Sequence, residues 1–154
     1  MTPEEKIKEL GLDLSAPQPP GANYLPAIQA GNLVYTSGSG PYRGGTAVYI
    51  GHLGKEISVV EGYMAARLAM SNALKALRSC LGSLDRIERF IKVTAFVSST
   101  PDFIQQPQVI NGASDLLVEI FGEAGRHARC AIGAPSLPRG MAVELEVIAQ
   151  LREV

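Results

Sequence analysis

Apolar residues recur at helical spacing in two stretches of the chain, and each stretch predicts an amphipathic helix. The longer stretch covers residues 59 to 82, and its apolar face consists of Tyr63, Ala66, Met70, Ala73, Leu74, Leu77 and Leu81. Its polar face carries Arg67, Ser71, Asn72, Lys75 and Arg78. The second helix covers about residues 108 to 121 and directs inward Ile110, Ala113, Leu117, Ile120 and Phe121. A separate helix start is predicted at Thr100, and Pro107 is expected to interrupt it.

Alternation of apolar and polar residues predicts strands around these helices. The strand segments are NLVYTSG, RIERFIKVTAFVSS, ARCAIGA and MAVELEVIAQL, and the Gly-rich GSGPYRGG after the first is predicted to be a loop. In the long central strand, one face carries Ile91, Val93, Ala95 and Val97, and the other carries Phe90, Lys92, Thr94 and Phe96. The element order is strand pair, helix, strand, helix, strand pair. This order predicts an α+β fold in which two helices cover one face of the sheet.

The sheet face without helices is expected to form an interface between copies of the chain. It would carry Thr94, Phe96 and Ile148. This mixture is too apolar to be left in water. We therefore expect a homo-oligomer that buries this face.

The N-terminal segment differs in composition from the rest. TPEEKIKEL predicts a short helix with Thr2 as N-cap, Pro3 in the first turn and Gly11 as a stop. SAPQPPGA contains three prolines and predicts an irregular arm. We therefore assign residues 1–20 to an N-terminal helix and Pro-rich arm, and residues 21–154 to the main domain.

Composition and charge narrow the functional classes. A chain of 154 residues favours a single domain, and a formal net charge of −1 provides no broad basic field for nucleic acid or an anionic membrane. No apolar run approaches the roughly 18 residues of a spanning helix, and the charged start does not resemble a signal peptide. Cys80 and Cys130, like His52 and His127, lack metal-site or catalytic-triad spacing. We expect a cytoplasmic protein that needs no metal or cofactor.

Charged residues concentrate around the last two strands. Arg126, His127, Arg129 and Arg139 lie close to Glu144 in sequence. The residue types alone allow two interpretations of Arg129, as a ligand-binding group or as an ion-pair partner of a glutamate across the strands. The other three basic residues are either surface charges or additional contacts to a ligand.

Four segments together resemble the Rid family of reactive-intermediate deaminases, also called YjgF or endoribonuclease L-PSP proteins. They are NYLPAIQAGNLVYTSG, the central helix and strand from VEGYM to STPDF, VINGASDLLVEIFG and ARCAIGAPSLPRGMAVELEVIA. The resemblance covers about residues 22 to 152. It implies a chorismate-mutase-like α+β fold and a homotrimer with a cleft at each subunit interface.

The resemblance also implies an activity and a set of site residues. The family hydrolyses enamines and imines to 2-oxo acids and ammonia. By position, Arg129 would bind the substrate carboxylate and Glu144 would orient or deprotonate a water. Tyr24, Ser37 and Asn111 would complete the substrate-binding site. The residue types also allow purely structural roles for these three: packing for Tyr24, a turn for Ser37 and a hydrogen bond on the helix face for Asn111.

The sequence departs from the family pattern at one position. Many members place a cysteine two residues after the arginine, where this chain has Ala131, and its Cys130 is one residue earlier. A shift of one residue in a strand turns the thiol to the opposite face. Two alternatives to a deaminase therefore stay open. One is a trimer that binds a small carboxylate without turnover, and the other is an endoribonuclease, although we do not expect nucleic acid as a partner.

Overall fold

The computed structural model describes all 154 residues, and its element order matches the predicted α+β class. The helices are α1 (Pro3–Glu9), α2 (Val59–Leu81) and α3 (Gln106–Phe121). The strands are β1 (Ala27–Ala30), β2 (Leu33–Thr36), β3 (Tyr42–Arg43), β4 (Thr46–Ala47), β5 (Ile87–Ser98), β6 (Ala128–Ala134) and β7 (Val143–Leu151). Strands β3 and β4 form a small hairpin, of which β3 and the turn lie inside the Gly-rich segment that was predicted to be a loop and β4 follows directly after it. No helix combines the length and apolar character that crossing a membrane requires.

The main sheet has the strand order β1-β2-β7-β5-β6. Strand β6 is parallel to β5, whereas the other neighbouring strands are antiparallel. The prediction that the last two strands pair with each other is therefore wrong, because β5 lies between them. The reason is that α3 forms a crossover from β5 to a parallel neighbour, after which β7 returns on the other side of β5.

The two long helices pack together over one face of this sheet, as predicted. Six of the seven residues assigned to the inner face of α2 are buried, namely Ala66, Met70, Ala73, Leu74, Leu77 and Leu81. The seventh, Tyr63, is partly exposed and donates a hydrogen bond from its hydroxyl to Asp115 on α3. Asn72 was assigned to the polar face but is buried.

Two local predictions are wrong for identifiable reasons. No helix begins at Thr100; a turn occupies this segment, and α3 begins at Gln106 with Pro107 in its first turn. Proline is tolerated there because its missing N–H is not needed for helix bonding. In β5, the predicted buried face of Val93, Ala95 and Val97 is confirmed, but a register shift between Phe90 and Lys92 exchanges the predicted faces of Phe90 and Ile91. Phe90 is consequently buried against Phe121, with ring centroids 4.8 Å apart, whereas Ile91 is 37% exposed.

The N-terminal segment packs onto the main domain. Thr2 and Glu5 form a capping box at the start of α1, and Gly11 has the positive φ expected after a helix. Ile7 and Leu14 are buried in the main core. The Glu4 carboxylate accepts hydrogen bonds from the Arg78 side chain and from the Leu84 backbone. The core and these polar contacts together fix the position of the arm that follows.

The face of the sheet opposite the helices is partly apolar and accessible. Adjacent strands place Ile28, Tyr35 and Ile148 in one row, and Phe96 and Ile132 in another. Ile28 is 55% and Ile132 48% exposed. This is the face that the sequence predicted to be covered by another copy.

Candidate functional site

Three of the five predicted site residues meet in one cavity. Tyr24, Ser37 and Glu144 line a space of about 230 Å³ between the Pro-rich arm, the loop after β2 and the start of β7. We call this space the Glu144 cavity. Its other polar or charged side chains belong to Gln18, Ser39, Tyr42, Asn72 and Arg139. Apart from Glu144, the only charged group among the lining residues is Arg139.

Glu144 is half-buried, and its carboxylate accepts no hydrogen bond from the rest of the chain. Burial raises the pKa of this carboxyl, and the negative charge of Glu146 raises it further. A Cβ added at Gly38 would overlap the carboxylate end of the Glu144 side chain, so the absence of a side chain at position 38 leaves room for this carboxylate. The carboxylate is therefore confined by its surroundings but remains free to bind water or a ligand.

Ser37 and Tyr24 hold the wall of the cavity. The Ser37 hydroxyl donates to the Leu25 carbonyl, and its backbone N–H donates to the Pro26 carbonyl. The Tyr24 hydroxyl accepts a hydrogen bond of 3.3 Å from the Gly21 backbone N–H. Both side chains thus connect the segment before β1 to its surroundings, while remaining in the lining of the cavity.

Asn72 fixes the opposite wall, a role that the helical pattern did not indicate. Its side-chain amide donates to the Gly40 carbonyl at 2.8 Å and to the Tyr42 carbonyl at 3.0 Å. Both acceptors belong to the loop that lines the cavity. The only sequence signal for this role is the presence of a polar side chain, Asn72, on the predicted α2 helix.

Replacing Asn72 with alanine is expected to lower the free energy of unfolding by about 1–3 kcal/mol, because two carbonyl groups lose a buried donor. Urea denaturation of the purified protein measures this change. Asn23→Ala, in the exposed loop before β1, is the matched control and should change stability by less than about 0.5 kcal/mol. Equal effects of the two variants would contradict the assigned role of Asn72.

Arg129 lies on the other side of the sheet, facing α3. Its Nη1 donates to the Ser114 hydroxyl at 3.0 Å, and its Nη2 donates to the Pro107 carbonyl at 3.2 Å. A guanidinium has five N–H groups, so three remain available after these two bonds. Asn111 is exposed on α3 between Pro107 and Ser114, at the spacing that places all three on one helix face.

A chain of hydrogen bonds supports Arg129. The Gly125 carbonyl can only accept, so His127 carries its proton on Nδ1, at 2.7 Å from that oxygen. Nε2 of His127 therefore accepts from the Ser114 hydroxyl at 2.9 Å, and Ser114 accepts from Arg129. Burial lowers the pKa of His127, and the positive charge of Arg129 lowers it further, against the opposing effect of the Gly125 carbonyl. The neutral imidazole is thus the form that this arrangement favours.

The lowered pKa of His127 predicts how stability depends on pH. The unfolded chain takes up the proton more readily, so the protein should lose stability as pH falls from 6.5 through the folded-state pKa. A His127→Gln variant should lack this component of the acid-induced loss. Thermal melting of both proteins between about pH 5 and 8 tests this, with His52→Gln as a control for the loss of a histidine. Parallel melting curves for the wild type and His127→Gln would contradict the prediction.

Arg129 and Glu144 do not meet within one chain. The register places Arg129 beside Val93, which faces the helices, and Glu144 beside Phe96, which faces away. The two residues are also separated by β5. A direct ion pair between Arg129 and either Glu144 or Glu146, which the residue types left open, is therefore absent.

The remaining residues of the basic cluster separate into different environments. Arg126 pairs with Glu123 at the surface, with 66% of its side chain exposed. Arg139 lines the Glu144 cavity. Ala131 shares the helix-facing side of β6 with Arg129, whereas Cys130 faces the opposite side, where its Sγ lies 4.0 Å from the Lys92 ammonium. The expected change in direction of the thiol is therefore confirmed.

The fold and the matched sequence define the family. The family model described as YjgF/chorismate mutase-like, putative endoribonuclease matches residues 4–151, so the chain belongs to this family. The match begins within α1, whereas the four resembling sequence segments begin only at about residue 22.

Three similar proteins illustrate the relationship. Protein TCP17 of Trypanosoma cruzi is 40% identical over 146 residues, which are 94% of this chain and 91% of that protein. The crystal structure of Atu1372 from Agrobacterium tumefaciens, a protein of unknown function, has 40% identity and a TM-score of 0.90 and covers 98% of this chain and 94% of its own. A putative endoribonuclease from Shewanella oneidensis MR-1 has 38% identity and a TM-score of 0.94, covering 98% and 100%. The N-terminal helix and arm are therefore part of the shared structure.

Proposed function

We propose that this protein hydrolyses enamines and imines of 2-oxo acids, releasing the 2-oxo acid and ammonia. The observation that carries the proposal is the state of Arg129, which two hydrogen bonds hold against α3 while three N–H groups remain available. A guanidinium fixed in this way suits a substrate carboxylate, because its planar fork offers two parallel charge-assisted hydrogen bonds.

The proposed cleft is shared between two copies of the chain. Glu144 lies on the opposite face of the sheet from Arg129 and across β5, so one chain cannot bring both to the same substrate. Glu144 also neighbours the partly apolar face that includes Phe96 and Ile132. In a homotrimer that buries this face, Arg129 of one subunit would approach Glu144, Tyr24 and Ser37 of the next.

The proposed reaction needs only a positioned water. Its oxygen adds to the carbon of the C=N bond, and the nitrogen gains a proton. The hydroxyl of the resulting carbinolamine then loses a proton and the nitrogen gains one, so the C–N bond breaks, ammonia leaves, and the carbon becomes a ketone. An enamine substrate first takes up a proton at carbon and loses one from nitrogen to become the imine.

Glu144 is suited to moving the proton in these steps. Its carboxylate is not engaged by other residues, and its raised pKa brings it closer to neutral pH. A carboxyl group poised in this way can accept a proton from the attacking water and return one to the departing amine. Arg129 would meanwhile hold the carboxylate beside the reacting carbon, which fixes the orientation of the substrate.

A coupled assay tests the proposal. An amino-acid oxidase generates the imine, semicarbazide traps what remains, and the protein competes for it by hydrolysis. The wild-type protein should suppress trapping across several amino-acid precursors. Carboxylate binding without any suppression would replace the proposal with a non-catalytic binding trimer.

RNA provides a second arm of the test, because the Shewanella relative is described as a putative endoribonuclease. The net charge of −1 offers little general attraction for phosphates. We expect no RNA cleavage after repurification. Cleavage that persists through repurification and disappears in an Arg129→Ala variant would favour the nuclease alternative.

A further inference from the structure

Arg139 has an unusual position at the entrance to β7. It lies in the short turn Pro138–Gly140 with a φ of 58°, a left-handed conformation that residues other than glycine seldom adopt. Such conformations persist where surrounding structure enforces them, and they cluster at ligand-binding sites. The turn directs Arg139 into the lining of the Glu144 cavity.

The Arg139 guanidinium is held without being neutralised. Its Cζ lies 5.5 Å from the centre of the Tyr42 ring, within the range of a cation–π contact. A Cβ built at Gly21 would lie 4.0 Å from Nη2, so the Pro-rich arm approaches the same group. Arg139 forms no salt bridge, and its side chain donates no hydrogen bond within the chain. All of its N–H groups are therefore available to a ligand.

The cavity thus contains one free cation and one free carboxylate. The arm residues Pro19, Pro20 and Gly21 form part of the wall, with Gly21 next to Arg139, while Gly38 borders Glu144. A substrate whose reacting carbon lies beside Glu144 can extend toward Arg139 within the same space. A group at that end of the substrate would meet positive charge and an aromatic ring.

We propose that Arg139 binds a second anionic group on the substrate, so that the cleft accepts imines derived from dicarboxylic amino acids. This inference rests on the proposed function, because it places the reacting carbon beside Glu144. A carboxylate fits better than a phosphate dianion, because the cavity offers only one cation and places the Glu144 carboxylate in the same space. In the alternative, Arg139 only covers the Tyr42 ring. This alternative predicts that replacing Arg139 affects mono- and dicarboxylic substrates equally.

The test compares imines generated from glutamate and from leucine. Arg139→Asn is the informative variant, because asparagine tolerates a positive φ and so preserves the turn. Its kcat/KM for the glutamate-derived imine should fall about 10- to 100-fold, the loss expected for hydrogen bonds to a charged group. The value for the leucine-derived imine should change less than about twofold. Arg126→Asn, which alters an arginine outside the cavity, should leave both substrates unaffected.

A binding measurement separates this inference from the proposed function. Titration calorimetry with 2-oxoglutarate and 2-oxobutanoate should show tighter binding of the dicarboxylate, and this preference should disappear in Arg139→Asn. Loss of the preference without any imine turnover would support the Arg139 site and contradict the deaminase. A second outcome would overturn the Arg139 site alone. In it, the protein hydrolyses imines, but Arg139→Asn changes the binding of mono- and dicarboxylates equally or not at all. Thermal melting confirms that the variant is folded, and Arg139→Lys should recover part of the preference.

Discussion

Replacing Arg129 with alanine is expected to lower kcat/KM for imine hydrolysis from roughly 30-fold to several thousandfold. The estimate follows from the cost of about 2–5 kcal/mol for removing one partner of a buried charged pair, at about 1.4 kcal/mol per tenfold change. Most of the loss of kcat/KM should come from weaker binding of the substrate carboxylate. Arg129→Lys should recover only part of the activity, because an ammonium retains the charge but lacks the planar fork.

The structure provides controls for this prediction. Arg126 lies three residues before Arg129 but pairs with Glu123 at the surface, so Arg126→Ala should retain wild-type activity. Ser114→Ala removes one of the two contacts that hold Arg129 and should cause an intermediate loss. Equal activity of wild type and Arg129→Ala, with both proteins folded, would contradict the assignment of the carboxylate-binding group.

Glu144→Gln is expected to have the second large effect. Glutamine preserves the shape of the side chain but cannot exchange a proton, and general acid–base assistance typically contributes about 10²–10⁴-fold. The loss should appear mainly in kcat, because Arg129 would still bind the carboxylate. Steady-state kinetics on the same imine, with Glu146→Gln as the neighbouring control, measures the effect.

The same variant should change the pH dependence of stability. The pKa of Glu144 is raised above its usual value of 4.5, so its contribution to stability is full below that pH and is lost as pH rises through the folded-state pKa. Glu144→Gln lacks this ionisation and should become more stable relative to wild type over that interval. Urea denaturation at acidic and neutral pH tests the sign, and a wild type that gains relative stability on raising the pH would contradict it.

The sequence predicted most of the features that depend on local pattern. Helical periodicity identified α2 and six of its buried residues, and Thr2 and Gly11 correctly bounded α1. The family resemblance supplied the positions of Tyr24, Ser37 and Glu144, and these three do share a cavity.

Other features depend on tertiary contacts that no local pattern contains. A register shift in β5 exchanged the faces of Phe90 and Ile91. Pairing of β6 with β5 rather than β7 separated Arg129 from Glu144 by one strand, and the register against β5 placed the two residues on different faces of the sheet. Several hydrogen bonds join residues on separate elements. Ser114 bonds to both Arg129 and His127, and Asn72 bonds to the Gly40 carbonyl in the cavity wall. Polar side chains at predicted helix faces were the only available signal for them.

Mixed oligomers of two inactive variants test the shared cleft most directly. Arg129→Ala and Glu144→Gln subunits with different tags are produced together, and oligomers that contain both are isolated by successive affinity steps. In a cyclic trimer, each cleft would use Arg129 of one subunit and Glu144 of the next, so every mixed trimer has one intact cleft of its three. We predict about a third of wild-type activity in the mixed trimers, because each cleft acts independently in this arrangement. Activity no higher than that of either variant alone would contradict a cleft built from two subunits.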